Sequence, residues 1–168
     1  MSFISISKGG IGEIARETNV HLTNDYDYTD FTHPDSNNSA NLTGTYSSYA
    51  VDTDDDGDYD YLIINVTVNV TTGSYDFFGD LYSSGGTTWI TSVKNNSVSL
   101  DEGSQIVKLE FEGEDIYDSL TNGPYSLGYI RVGADMDGTW LVLDEESNIH
   151  NTSSFNYTDF DSGSEALT

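Results

Sequence analysis

The sequence predicts an all-β protein, an antiparallel β-sandwich of immunoglobulin-like or jelly-roll-like arrangement with about seven to nine strands. Three observations lead there. Tyr, Thr, Ser, Asn, Gly and Val dominate while Ala, Lys and Arg are scarce, a composition that favours pleated structure over helices. From about Tyr49 onward, short runs rich in β-branched and aromatic residues alternate with turns of Gly, Asn, Asp and Ser. Within several of these runs apolar residues recur with a period of two, as in a strand with one face on a core. A length of 168 residues suits one ordinary domain plus an appended segment.

From the N-terminus, Gly10–Asn19 has room for one helical turn, and no other stretch shows convincing helical periodicity. Residues 17–31 read as a strand because they match residues 146–160 without gaps, at a spacing of 129. Eight of the fifteen aligned positions are identical, including the whole ending Tyr28-Thr29-Asp30-Phe31 against Tyr157-Thr158-Asp159-Phe160. The match divides the chain into a segment 1–31 that closes a preceding copy, a module 32–161, and a tail 162–168. A single domain using two similar edge strands is the alternative, and strand 17–31 would then be free to pair with a neighbouring subunit in a filament. The remaining candidate strands are 60–71, 75–82, 87–93, 105–112, 125–133, 139–144 and 149–160. In the first, Leu62, Ile64, Val66, Val68 and Val70 share one face, with Asn65 and Asn69 on the other. In the fourth, Val107, Leu109 and Phe111 face inward and Lys108, Glu110 and Glu112 outward.

Charge narrows the function classes. Twenty-nine Asp and Glu against five Lys and Arg give a net charge of −24, repulsive toward nucleic acid and anionic membranes. Such a balance strains the compact state and calls for bound cations, high salt, or both. With no cysteine there is no disulfide framework, and no run is apolar enough to serve as a signal peptide or a membrane span. Seven Asn-x-Ser/Thr sequons, at Asn37, Asn41, Asn65, Asn69, Asn95, Asn151 and Asn156, would accept glycans on a secretory route. Nothing resembles a nucleophile motif or a phosphate-binding glycine loop, so no enzyme is expected.

The segment Asp52-Thr53-Asp54-Asp55-Asp56-Gly57-Asp58-Tyr59-Asp60 carries the chemistry. It sets carboxylates at loop positions one, three, five and nine and a glycine at six, where a cation-wrapping loop must turn sharply. In that pattern Asp52, Asp54 and Asp56 ligate by side chain, Asp58 by its backbone carbonyl, and Asp60 directly or through water. Hard oxygen donors on a flexible loop suit Ca²⁺ better than Mg²⁺ or Zn²⁺. Position twelve, normally a bidentate Glu, is Ile63 inside a predicted strand, so the loop reads as a structural clip rather than a switch. The acidic turn Asp135–Gly138 reads as a plain hairpin. His21 and His150 occupy matching places and read as structural, and His33 stands alone. Tyr75, Phe77, Phe111 and Tyr125 are expected in the core.

Loop 52–60 resembles the calcium loops that lead into strands in integrin-type propellers, and less closely dockerin loops. More broadly, Asp60–Val68, Gly73–Leu81, Leu109–Gly113, Gly123–Leu127 and Tyr157–Phe160 resemble tandem β-sandwich modules of large secreted or cell-surface proteins of archaea and some bacteria. That resemblance implies an extracellular accessory or structural role; with the acidic loop and the internal match, the expectation is a non-enzymatic structural or adhesion module of a repetitive surface protein or filament, stabilised by Ca²⁺. Its partners would be neighbouring copies, through residues 17–31, and glycans or surface polymers. Two alternatives remain: an accessory module of a secreted hydrolase, and a halophilic protein whose acids hold salt without a specific site.

Overall fold

The computed structural model describes residues 3–7, 13–18, 38–136 and 138–163. The chain divides into two compact units, Met1–Pro34 and Asp35–Thr168. In the first, strand β1 (Phe3–Ser7) pairs antiparallel with β2 (Glu13–Thr18), Ile4 opposite Glu17 and Phe3 opposite Thr18. The helical turn expected in Gly10–Asn19 is thereby corrected. A lone turn fixes several residues for one hydrogen bond, whereas pairing with β1 supplies a ladder. Of the span 17–31 only Glu17 and Thr18 belong to this hairpin; residues 19–31, with His21, lie outside the described residues, as do His33 and Asn37.

The second unit is a β-sandwich. Its strands are β3 (Ala40–Val51), β4 (Tyr61–Val70), β5 (Gly73–Ser83), β6 (Trp89–Leu100), β7 (Gly103–Glu112), β8 (Tyr125–Met136) and β9 (Thr139–Asn151). One sheet has the order β3-β4-β7 and the other β6-β5-β8-β9, with every neighbouring pair antiparallel. Lettered A to G along the chain, these are A-B-E facing D-C-F-G. That is the immunoglobulin-like arrangement with its fourth strand moved to the opposite sheet, which decides against a jelly roll.

Period-two patterning builds the core. Leu62, Ile64, Val66 and Val68 of β4 are fully buried, and Val107, Leu109 and Phe111 of β7 join them from the same sheet. Tyr75, Phe77 and Leu81 of β5 and Tyr125, Leu127, Ile130 and Val132 of β8 close the opposite side. In β8 the inward phase slips by one residue after Leu127, where the pairing with β9 shifts between Leu127 and Tyr129. A bulge absorbs one residue there and returns the next apolar positions to the core.

Three elements differ from the sequence reading. Strand β3 was not expected. Only Ala40 and Leu42 on it are buried, and its other inward positions, Tyr46, Ser48 and Ala50, are half-buried, so its hydrophobic alternation is faint. The helix α1 (Gly113–Asp118) buries Ile116 alone of its larger side chains, too little to show a helical period. The expected strands 139–144 and 149–160 are replaced by the continuous β9, after which the chain leaves the sheet and forms a 3-10 turn over Tyr157–Asp159. Asp159 holds this turn: its carboxylate accepts from the backbone N–H of Asn156 (2.9 Å) and its own N–H donates to the Asn156 carbonyl (3.0 Å), local bonds in place of a ladder.

Candidate metal centre

Loop 52–60 joins β3 to β4, crossing from the edge of its sheet to the central strand. Its fold is dictated by its own aspartates. The two carboxylate oxygens of Asp52 accept from the N–H groups of Asp55 (2.7 Å) and Gly57 (3.0 Å), and Asp56 accepts from the N–H of Asp58 (2.9 Å). Asp60 closes the loop by accepting from the backbone N–H and the hydroxyl of Thr53. Gly57 holds φ +105°, a conformation that an L side chain rarely adopts, and Asp55 holds φ +62°, which Asp tolerates better than most residues.

This wrapping brings one oxygen each of Asp52, Asp54 and Asp60 to within 4.8 Å of one another, a group able to hold a metal ion. Of the four side chains expected as ligands, those of Asp52, Asp54 and Asp60 therefore converge. The Asp56 side chain lies outside the group, with its carboxylate engaged by the Asp58 N–H. Ile63 at position twelve is buried and, as a hydrocarbon side chain, offers no ligand atom. Like charges gathered this closely repel one another, and a cation among the three carboxylates would relieve that repulsion. Desolvation within the loop raises the pKa of Asp54, the Asp56 N–H opposes this, and the carboxylates of Asp56, Asp60 and Asp52 add to it. Asp60 is lowered, first by the Thr53 hydroxyl and then by the Thr53 N–H.

The exit of the loop is clamped from two sides. Asp60 offers its carbonyl to the N–H of Gly113 at the start of α1 (2.6 Å), and a side chain on Gly113 would collide with the carbonyl of Tyr59. Tyr59 is bracketed by the C-terminal segment: its N–H donates to the Asp159 carbonyl (2.8 Å) and its carbonyl accepts from the Asp161 N–H (3.1 Å). Phe160 between them is fully buried, with its ring 5.7 Å from Tyr59, 5.7 Å from Phe155 and 6.1 Å from Tyr125. Acids crowd the same end. The Glu112 carboxyl, opposite Tyr61, is raised by desolvation and then by Asp115, Glu110, Glu114 and Asp60.

Neither protein-family models nor curated proteins match this chain.

Other expected positions fall as follows. Asp135 accepts from the N–H of Gly138 (2.7 Å) in the β8–β9 hairpin. His150 is half-buried with Nε2 3.0 Å from the Ser48 hydroxyl, which ties β9 to β3 across the two sheets. Tyr46 of β3 donates to Glu146 of β9 (2.6 Å), and the Leu42 N–H to Asp144 (2.7 Å). Of the described sequon asparagines, Asn41, Asn69, Asn151 and Asn156 are exposed, and Asn65 and Asn95 are half-buried. Asn65 donates to the Ser47 hydroxyl (3.2 Å), while Asn95 donates to the Lys108 carbonyl (2.7 Å). The clamping residues Gly113, Asp159 and Phe160 carried no metal motif of their own; the recurrence of Tyr-Thr-Asp-Phe was a signal for Asp159 and Phe160, and Gly113 had none.

Proposed function

We propose that this chain is a non-enzymatic, Ca²⁺-stabilised β-sandwich module of a repetitive extracellular or cell-surface protein. The convergence of Asp52, Asp54 and Asp60 at the root of β4 carries the reading. Ca²⁺ suits the loop because its donors are all hard oxygens and a large ion accepts carbonyl and water ligands in the places side chains leave open. Asp58, through its carbonyl, and Asp56 would complete the shell.

The clamp gives the ion its use. A cation at the loop neutralises the charge that pushes β3 and β4 apart at this end, and the C-terminal segment fastens the same loop from below. Since Tyr28-Thr29-Asp30-Phe31 repeats the fastening sequence, the reading extends to a tandem array in which each module ends on its own clamp and passes directly into the next. Under the alternative, residues 17–31 are donated to a neighbouring subunit, and assembly rather than repetition places the clamp.

Thermal unfolding in EDTA and in about 1 mM Ca²⁺ tests the reading, since a ligand specific to the native state raises stability with its concentration. We expect a Ca²⁺-dependent rise in Tm that Mg²⁺ reproduces weakly and that Asp54→Ala and Asp60→Asn abolish. An unchanged Tm in the native sequence, alongside a large response to KCl alone, would sink it.

A further inference from the structure

We infer that the outer face of the four-stranded sheet carries a glycan-binding groove for a neutral pyranose, built on Trp140, Arg131, Lys94 and Asp76. The groove encloses about 310 Å³, at the small end of ligand sites, and Phe77 and Phe78 complete its wall. Its residues come from all four strands, so a rigid sheet and not a loop sets their spacing. Phe78 on β5 lies directly between Lys94 on β6 and Arg131 on β8. The Arg131 guanidinium carbon sits over both rings, 4.8 Å from the centre of Phe78 and 5.1 Å from that of Trp140. Its Nε is buried and has no hydrogen-bond partner.

Trp140 is placed with equal care. Its Nε1 donates to Asp76 (2.9 Å), whose other oxygen accepts from the Ser97 N–H (2.8 Å). The indole lies over Gly133, where any side chain would run into the ring. Despite these restraints Trp140 remains 39 % exposed, so a large apolar surface is kept in water instead of being packed away.

A structural cation–π ladder accounts for Arg131 between its rings, but not for the exposed indole, nor for a second cation at the same groove. The chain has five Lys and Arg in all against 29 acids, and two of the five line this one depression. A pyranose ring matches the set: its C–H face stacks on the indole, while its hydroxyls accept from Lys94 and Arg131 and donate to Asp76. Neutral sugars are favoured over uronates because the −24 charge of the chain repels an approaching polyanion, and Asp76 offsets one of the two local cations.

The test is a printed array of neutral and acidic glycans probed with the labelled full chain in Ca²⁺, followed by titration of the responding oligosaccharide. Signal confined to neutral glycans is expected, with a dissociation constant of about 1 mM or tighter. Lys94→Ala should weaken it at least about tenfold at unchanged Tm, a loss of roughly 1.4 kcal/mol, and Trp140→Ala should weaken it at least as much while the chain still melts cooperatively. Trp89→Phe, remote from the groove, should leave it intact, and in that background Trp140 fluorescence should change on binding. No signal on any glycan, signal on uronates alone, or undiminished signal in both groove variants overturns the assignment. The Ca²⁺ response of Tm should be the same in the groove variants, so the two proposals fail separately.

Discussion

Asp54 and Asp60 sit on one loop and are driven in opposite directions. Asp54, raised by desolvation and by its neighbours, takes up a proton at a higher pH than an ordinary Asp at about 3.9; Asp60, lowered by Thr53, holds its charge further into acid. In EDTA, the raised Asp54 contributes stability below its unfolded pKa and loses it as pH rises through the folded value. The depressed Asp60 contributes above its unfolded pKa and loses it as pH falls through the folded value. Metal binding requires both to be ionised, so Asp54 is the residue that limits it in acid. The Tm increment produced by Ca²⁺ should therefore shrink as pH falls from about 7 toward about 4, beginning above the ordinary Asp range. Paired melts with Ca²⁺ and EDTA across that range check it; an increment constant down to the ordinary Asp pKa would exclude Asp54 from the shell. At this scale the sequence was informative where chemistry is local. Alternating aspartates and Gly57 announced the loop, but which carboxylates meet depends on how the Asp52 and Asp56 oxygens are used by the backbone, and spacing does not specify that.

At the scale of elements, legibility followed burial. Strand β4 reads clearly because its apolar positions are all covered, and β7 because its outward residues are charged. By contrast β3 is held by polar links to β9, through Tyr46–Glu146, Ser48–His150 and Leu42–Asp144, so its membership in the sandwich leaves little trace in hydrophobicity. The C-terminal segment looked like a strand because it is rich in aromatic and β-branched residues, yet its side chains fill the end of the sandwich instead of adding to a sheet. Phe160 should therefore behave as core. Phe160→Ala is expected to cost about 3–5 kcal/mol in chemical denaturation. It should also lower Ca²⁺ affinity by loosening Tyr59, and a surface-like loss below about 0.5 kcal/mol would contradict the clamp.

For the whole molecule the dominant quantity is charge. At −24 the folded chain repels itself, and among the described residues the two sheets are joined at one edge by neutral and single-charge hydrogen bonds rather than by ion pairs. Salt and Ca²⁺ should both help, by different routes. Raising KCl from about 0.1 M to about 1 M shortens the screening length from about 10 Å to about 3 Å and relieves repulsion everywhere. On the proposed reading, Ca²⁺ would act only at the loop. Melts in EDTA should rise steadily with KCl, and a Ca²⁺ increment should persist, reduced, at about 1 M; its complete loss there would reassign the Ca²⁺ response to screening.

The bracket around Tyr59 also sets how the sandwich would bear tension. A pull on the chain beyond residue 161 does not first peel β9 from its sheet, because the strain reaches the pair of bonds between Tyr59 and the segment 159–161 and passes through them into the root of β4. The strand that receives the load is the central one of its sheet, bonded along both sides, and it begins where the acidic loop ends. Mechanical toughness and ion occupancy would then rise and fall together, and a loop that holds a cation would act as a tensioner on the central strand.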